Sequence, residues 1–185
     1  MEDKRAQQMK LPSVTQCFGH YLSGIPEYKL EIAADRGTRA HTLCFKHLRR
    51  AHIMKIDPDC AGYFLSFTQW AELMVKEVIF IEEEFVDENH GYMGHPDMGV
   101  VLKDGSCALI DLKTPLALQK IWAGQIAAYL NLIKHKYPPI KKGGSLRLSP
   151  DGRMAKMKWY EDSANDLAAF ISLLNGYRYF FWSNK

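Results

Sequence analysis

Nowhere in the 185 residues does an apolar run approach the roughly 20 that a membrane-crossing helix needs, so no membrane association is expected. The opening stretch MEDKRAQQMKLPSVTQ is charged and polar and has no apolar segment, so no secretory signal is expected either. A large charge imbalance is also missing. The formal net charge is only +3, and a polyanionic partner would have to be met by a local patch. The four cysteines, Cys17, Cys44, Cys60 and Cys107, form no CxxC pair. Their spacing asks for no zinc site, and buried reduced thiols in a cytoplasmic protein are the expectation. Internal repeats and low-complexity segments are absent as well.

What is present suits one globular domain. Hydrophobic residues make up 47% of the chain and charged residues 24%, and the length is enough to bury a core without staples. Residues 1–12 read as a flexible polar arm and residues 13–185 as the domain. Pro12 with Ser13 or Thr15 marks a helix start. The stretch PEYKLEIAADRGTRAHTLCFKHLRRAH is helical in character, with Gly37 as a break or close-approach point. A further helix is expected over PDCAGYFLSFTQWAELM. Three strand-like runs follow: EVIFIEEEFVD, GYMGHPDMGVVL and CALIDLKT, the last two joined by a hairpin turn at Lys103–Ser106. A strong helix, ALQKIWAGQIAAYLNLIKHKY, runs to Pro138-Pro139. A hairpin around Pro150-Asp151-Gly152 and a closing helix complete the order.

Charges stand out in one apolar run. In Ala108–Lys113, alternation places Leu109, Asp111 and Lys113 on one strand face and Ala108, Ile110 and Leu112 on the other. Counting back from the turn, Leu102 to Asp97 matches Ser106 to Asp111, which brings the two acids nearly opposite each other. Carboxylates facing across a ladder repel, and a buried unpaired charge is costly. A divalent cation between them removes both penalties, because Mg²⁺ or Mn²⁺ takes one or two carboxylates and keeps room for water and phosphate. A lysine beside it can orient a water or stabilise developing charge. A lone DxK tripeptide is common, and an ordinary ion pair would explain it. On the helix that follows, Gln125 and Tyr129 at i and i+4 add a polar stripe, and upstream His41 lies among apolar helical residues.

Gly37-Thr38 before His41, then Gly94-His95-Pro96-Asp97, Ile110-Asp111-Leu112-Lys113-Thr114 and Gln125-Ile126-Ala127-Ala128-Tyr129, in this order, resemble the PD-(D/E)xK nuclease superfamily. The likeness is to its RecB-like branch of small phage-type exonucleases. It extends from about Pro12 to Lys134 and implies an α/β restriction-endonuclease-like core, with a central mixed β-sheet flanked by helices. It also implies that Asp97, Asp111, the Leu112 carbonyl and His41 hold Mg²⁺ or Mn²⁺, and that Lys113 activates water. Gln125 and Tyr129 would support the site or contact DNA. Independently, their positive charge makes Arg36 and Arg39 candidates for DNA contacts. The implied activity is DNA hydrolysis leaving 5′-phosphates, in recombination, replication or repair. Its substrate is single- or double-stranded DNA, taken at ends, with recombination or replication proteins and an oligomer as further partners. The location implied is the cytoplasm, that of the host if the gene is a phage's. No cysteine follows Cys107, so no iron–sulfur cluster is expected.

Further basic residues, Lys46, Arg49, Arg50, Lys134, Lys136, Lys141, Lys142, Arg147 and Arg153, are candidates for DNA phosphates. Tyr92, Trp122 and Trp159 are candidates for base stacking, though each reads first as core. Glu82, Glu83 and Glu84 read as a solvated charge run. Two other function classes compete: a nuclease-fold module that binds DNA or protein without cleaving, and a transition-metal hydrolase using His41 with His95. The first would be expected to have lost an acid or the lysine. The second needs more converging histidines than the motif order provides.

Overall fold

The computed structural model describes residues 11–19, 27–115 and 118–182. Most of the expected N-terminal arm lies outside these residues. Pro12, however, is buried, and its carbonyl accepts the Met93 N–H at 3.1 Å, so the folded part begins earlier than expected. Helix α1 (Val14–Gly19) opens on a reciprocal cap: the Gln16 N–H donates to Ser13 Oγ, and the Ser13 N–H donates to Gln16 Oε1. The S-x-x-Q spacing therefore satisfies two of the donors that a helix start leaves open. Helix α2 (Glu27–Leu48) passes through Gly37 without a break, because tertiary packing offsets the ~1 kcal/mol that an interior glycine costs. Helix α3 (Pro58–Met74) starts on Pro58, which is pre-shaped for a first turn.

The strand-like runs divide more finely than expected. The first yields β1 (Val75–Ile81) and β2 (Phe85–Asp87), and the second yields β3 (Tyr92–Gly94) and β4 (Met98–Leu102). Glu82, at φ 50, turns the chain between β1 and β2. β2 and β3 then pair as a separate small sheet. β5 (Cys107–Lys113) follows, then α4 (Ile121–Ile133), which starts later than the apolar periodicity suggests. β6 (Lys142–Arg147), β7 (Lys156–Tyr160) and α5 (Ser163–Phe180) close the described chain. The main sheet has the order β1-β4-β5-β6-β7, and only β5 and β6 run parallel. It is a mixed sheet flanked by helices, and α4 supplies the crossover that parallel neighbours require.

Alternation in β5 splits the interior in two. Ala108, Ile110 and Leu112 join α2 and α3 in one core, while Leu109 faces Ile126, Tyr129 and Phe170 in the other. Both faces are covered, which is why this strand reads as a continuous apolar run. The turn between β4 and β5 is three residues long. Gly105, at φ 86, takes the left-handed position that such a turn ends on, and Leu102 N–H reaches the Ser106 carbonyl at 2.8 Å. No helix among the described residues is long and apolar enough to cross a membrane.

Candidate functional site

The register set at that turn carries to the far end of the hairpin. Its last ladder pair is Met98 with Ile110, so Asp97 and Asp111 occupy the next facing positions. Past the ladder, the Asp97 carboxylate substitutes for a strand: its Oδ2 accepts the Leu112 N–H at 2.6 Å. The carbonyl and N–H of one strand residue point to the same side, so the Leu112 carbonyl is directed to the β4 side, where Asp97 lies. From α2, His41 Nδ1 stands 3.7 Å from Asp97 Oδ1. On β5, Lys113 Nζ lies 2.6 Å from Asp111 Oδ2 and donates to Gln125 Oε1 at 2.7 Å. Gln125 Nε2 in turn donates to the Tyr129 hydroxyl at 3.2 Å. His41, Asp97, Asp111, Leu112, Lys113, Gln125 and Tyr129 thus form one connected cluster, built by α2, the β4–β5 hairpin and α4.

The charges in this cluster are unequally satisfied. Asp111 is 3% exposed, and burial, only partly offset by Lys113 and reinforced by Asp97, pushes its carboxyl up to about 6. Lys113 approaches Asp111 Oδ2 off the direction of a hydrogen bond, which leaves this buried oxygen without a directed donor. Burial also opposes the charge on Asp97. There His41, Lys113 and the Leu112 N–H prevail and hold the carboxyl below the ordinary range. For His41, burial disfavours the charged ring, but Asp97 and Asp111 outweigh it and raise its pKa. Burial raises the Tyr129 phenol, so it acts as a neutral hydrogen-bonding group.

No group of three or more His, Cys, Asp or Glu side chains among the described residues is already gathered as a metal cage. A hard divalent cation asks for less: one or two carboxylates, a carbonyl and waters. Two facing acids and the Leu112 carbonyl fit that demand, with Asp111 Oδ2 lying beside the Lys113 ammonium and accepting no directed hydrogen bond.

The two arginines expected on DNA differ sharply. The Arg39 guanidinium is instead taken up by Asp35, Asp57 and Asp59 at 2.8–2.9 Å, bracketing α2 to the start of α3. Arg36 lies over the Tyr63 ring at 5.5 Å, and its buried Nε has no hydrogen-bond partner. The glutamate run is paired rather than merely solvated. Glu82 is 4.0 Å from Arg49, Glu84 is 3.1 Å from His95, and Glu83 accepts from the Tyr137 hydroxyl at 2.6 Å. His95 is therefore turned to Glu84 and not toward His41. Tyr92 and Trp122 are core residues, and the Trp159 ring lies 4.8 Å from Lys142 Nζ.

Trp122 is a member of the site that the motifs do not name: Lys113 Nζ rests 5.6 Å from its ring centroid. The signal was its place three residues before Gln125, on the same helix face. Gly94, the first residue of the Gly94–Asp97 motif, packs directly against the site. A Cβ there would come within 2.8 Å of the Tyr129 ring and 2.9 Å of Leu132. Gly94→Ala is expected to destabilise the fold by about 1–3 kcal/mol by overpacking, read as a lower midpoint in urea, and to displace Tyr129 from Gln125.

No protein-family model matches this chain, and no curated protein matches it. Among solved structures, the crystal structure of SSO0001 is similar over 92% of this chain and 85% of that one, at 15% identity and a TM-score of 0.39.

Proposed function

We propose that this chain is a divalent-metal-dependent deoxyribonuclease on a restriction-endonuclease-like core. It hydrolyses phosphodiesters from DNA ends and leaves 5′-phosphates, in recombination, replication or repair. One observation carries this reading: residues far apart in sequence, from His41 to Tyr129, converge on two facing acids, Asp111 buried and Asp97 half-buried, with Lys113 bridging from Asp111 to Gln125.

Asp97, Asp111, the Leu112 carbonyl and His41 would hold Mg²⁺ or Mn²⁺, which when bound would supply Lewis acidity toward a phosphodiester oxygen and lower the pKa of water. The chain does the rest. Gln125, braced by Tyr129, fixes the Lys113 ammonium where it can orient a water for in-line attack and stabilise charge on the phosphorus oxygens. Burial of Asp111 and Tyr129 excludes bulk water and strengthens these interactions.

The test is degradation of linear single- and double-stranded DNA in Mg²⁺, Mn²⁺ or EDTA, beside Lys113→Ala. The expected result is metal-dependent loss of DNA and a fall of about 10²–10⁴-fold in the variant. Wild-type protein that degrades nothing in either metal, or a variant that matches it, removes the enzyme reading. The second reading is a non-cleaving module that binds DNA or protein, which would be expected to have lost an acid or the lysine, and all three are present. DNA binding without hydrolysis in this assay would support it. Closed circular DNA as a parallel substrate separates end-dependent from internal cleavage.

A further inference from the structure

Cations run in a row from the site toward the β7 edge of the sheet and are not scattered. Parallel pairing sets Lys113 beside Arg147, and antiparallel pairing sets Arg147 beside Lys156. Paired positions project to one face, so the three form a row across β5, β6 and β7. At the usual strand spacing the row steps by about 4.8 Å and spans about 10 Å. One pair further back on the same face stand Asp111, Ser145 and Lys158. Charge therefore passes from acid at the β4–β5 hairpin to base at the β6–β7 hairpin.

Like charges directly across a ladder repel. Lysines on an edge strand such as β7 also guard it against pairing with other chains. That accounts for Lys156 or Lys158 alone, but not for Arg147, on an interior strand between two further cations. The β6–β7 connection adds a second feature. Leu148 N–H donates to the Lys113 carbonyl at 2.8 Å, which carries β6 past the site. Asp151 then accepts from Ser149 Oγ at 2.6 Å and from Arg153 Nε at 2.7 Å, which fixes the turn. A cavity of about 210 Å³ lies there, with Arg147, Ser149, Arg153 and Lys156 on its walls. Asp151 holds Arg153, and the exposed Lys156 adds a further positive charge to the wall.

We propose that Arg147, Arg153 and Lys156 form a second phosphate subsite, which holds the backbone phosphodiester next to the one aligned at Lys113. This rests on the nuclease reading for what lies at Lys113. The strand then runs from the acids, across β6, toward β7. A terminal phosphate monoester offers the same oxygens as a diester, and the continuity of the row with Lys113 favours the diester.

The experiment is binding of a fluorescent single-stranded oligonucleotide, with 5′-hydroxyl or 5′-phosphate, followed by anisotropy in EDTA over a salt series. Wild type is compared with Lys156→Gln, Arg147→Gln and the double variant Arg153→Gln/Lys156→Gln. Each lost phosphate contact is expected to reduce the slope of log affinity against log salt by about 0.7, and the double variant by about 1.4. Lys156→Arg should restore the slope, and both oligonucleotides should respond alike. Lys156 is exposed, so its substitution leaves the melting temperature unchanged and the result interpretable. Unchanged slopes in Lys156→Gln and the double variant overturn the subsite. A loss confined to the 5′-phosphorylated oligonucleotide overturns the diester assignment. Binding in EDTA needs no hydrolysis, so the two readings fail separately. A protein that cleaves nothing yet shows these slopes loses the enzyme reading alone, and one that cleaves normally with unchanged slopes loses the subsite alone.

Discussion

Asp111→Asn is expected to abolish DNA cleavage, by at least about 10²–10³-fold, and at the same time to raise the melting temperature of the metal-free protein. The sign follows from the raised carboxyl pKa. A folded-state value of about 6, against an ordinary 3.8, means that the fold binds the Asp111 proton more tightly than the unfolded chain does. Its favourable contribution is therefore complete below about 4 and is lost as pH rises through 6. At neutral pH the charged form is a net cost, on the order of 1–3 kcal/mol, and a neutral isostere relieves it. The expected gain is a few degrees in the metal-free melting temperature at pH 7.5.

Asp97→Asn should move stability the other way. That carboxyl is held low by His41, Lys113 and the Leu112 N–H even though burial opposes its charge. Its contribution is present above the unfolded pKa, and the amide forfeits it. Opposite shifts from the same chemical change, one strand apart, are the signature of an acid pair of which one member is satisfied and the other is only partly compensated, by Lys113, for the cost of its burial. Saturating Mg²⁺ or Mn²⁺ should raise the wild-type melting temperature, by about 2.7 kcal/mol in stability at a hundred times Kd, and leave Asp111→Asn unmoved. If Asp111→Asn melts below wild type without metal, the buried charge is stabilising and the cation site loses its physical basis.

Metal binding should also release protons, and His41 is the reason. Its ring is buried, which disfavours charge, but Asp97 and Asp111 raise its pKa above the usual histidine value. A protonated imidazole cannot ligate, so binding must first displace its proton. Titration of Mn²⁺ near pH 6.5, in buffers of different ionisation enthalpy, should report proton uptake by the buffer that diminishes as the pH rises through the raised His41 pKa. Below about 6, protonation of Asp111 should weaken metal affinity and cleavage together. His41→Gln should remove most of the release at pH 6.5 and leave the acid limb near 6. If His41→Gln releases as many protons as wild type, His41 is only a counter-ion to Asp97 and the ligand set shrinks to the acids and the Leu112 carbonyl. Mn²⁺ affinity should suffer more than Mg²⁺ affinity from this substitution, since Mg²⁺ is the harder cation and depends less on nitrogen.

The site was legible where local rules govern geometry. A glycine-ended turn sets hairpin register, so Asp97 could be placed across from Asp111 by counting from Leu102 and Ser106, and the ladder runs to Met98 and Ile110 in that register. Strand alternation put Asp111 and Lys113 on one face, and helical spacing put Gln125 and Tyr129 on another that meets it. Local rules did less well at boundaries. EVIFIEEEFVD reads as one strand, and the left-handed turn at Glu82 makes it two. Gly37 reads as a break, yet α2 runs through it, because a packed helix tolerates one poor residue. The late start of α4 was equally hidden.

What the sequence determined by itself is therefore the set of chemical groups and their short-range order: a pair of acids, a lysine two positions on, an amide–phenol stripe and a histidine within a helix. These follow from periods of 2 and 3.6 and from one turn, all of which act over a few residues. Only the tertiary structure decided which charges are satisfied. It gave Arg39 to Asp35, Asp57 and Asp59 and left the Arg36 Nε without a partner. It turned Lys113 toward Gln125 and Trp122, and it aligned Arg147 and Lys156 with it across strands far apart in the chain. The physical reason is that the fate of a charge depends on its nearest opposite charge and on its distance from water, and both are set by contacts between elements that no local pattern encodes.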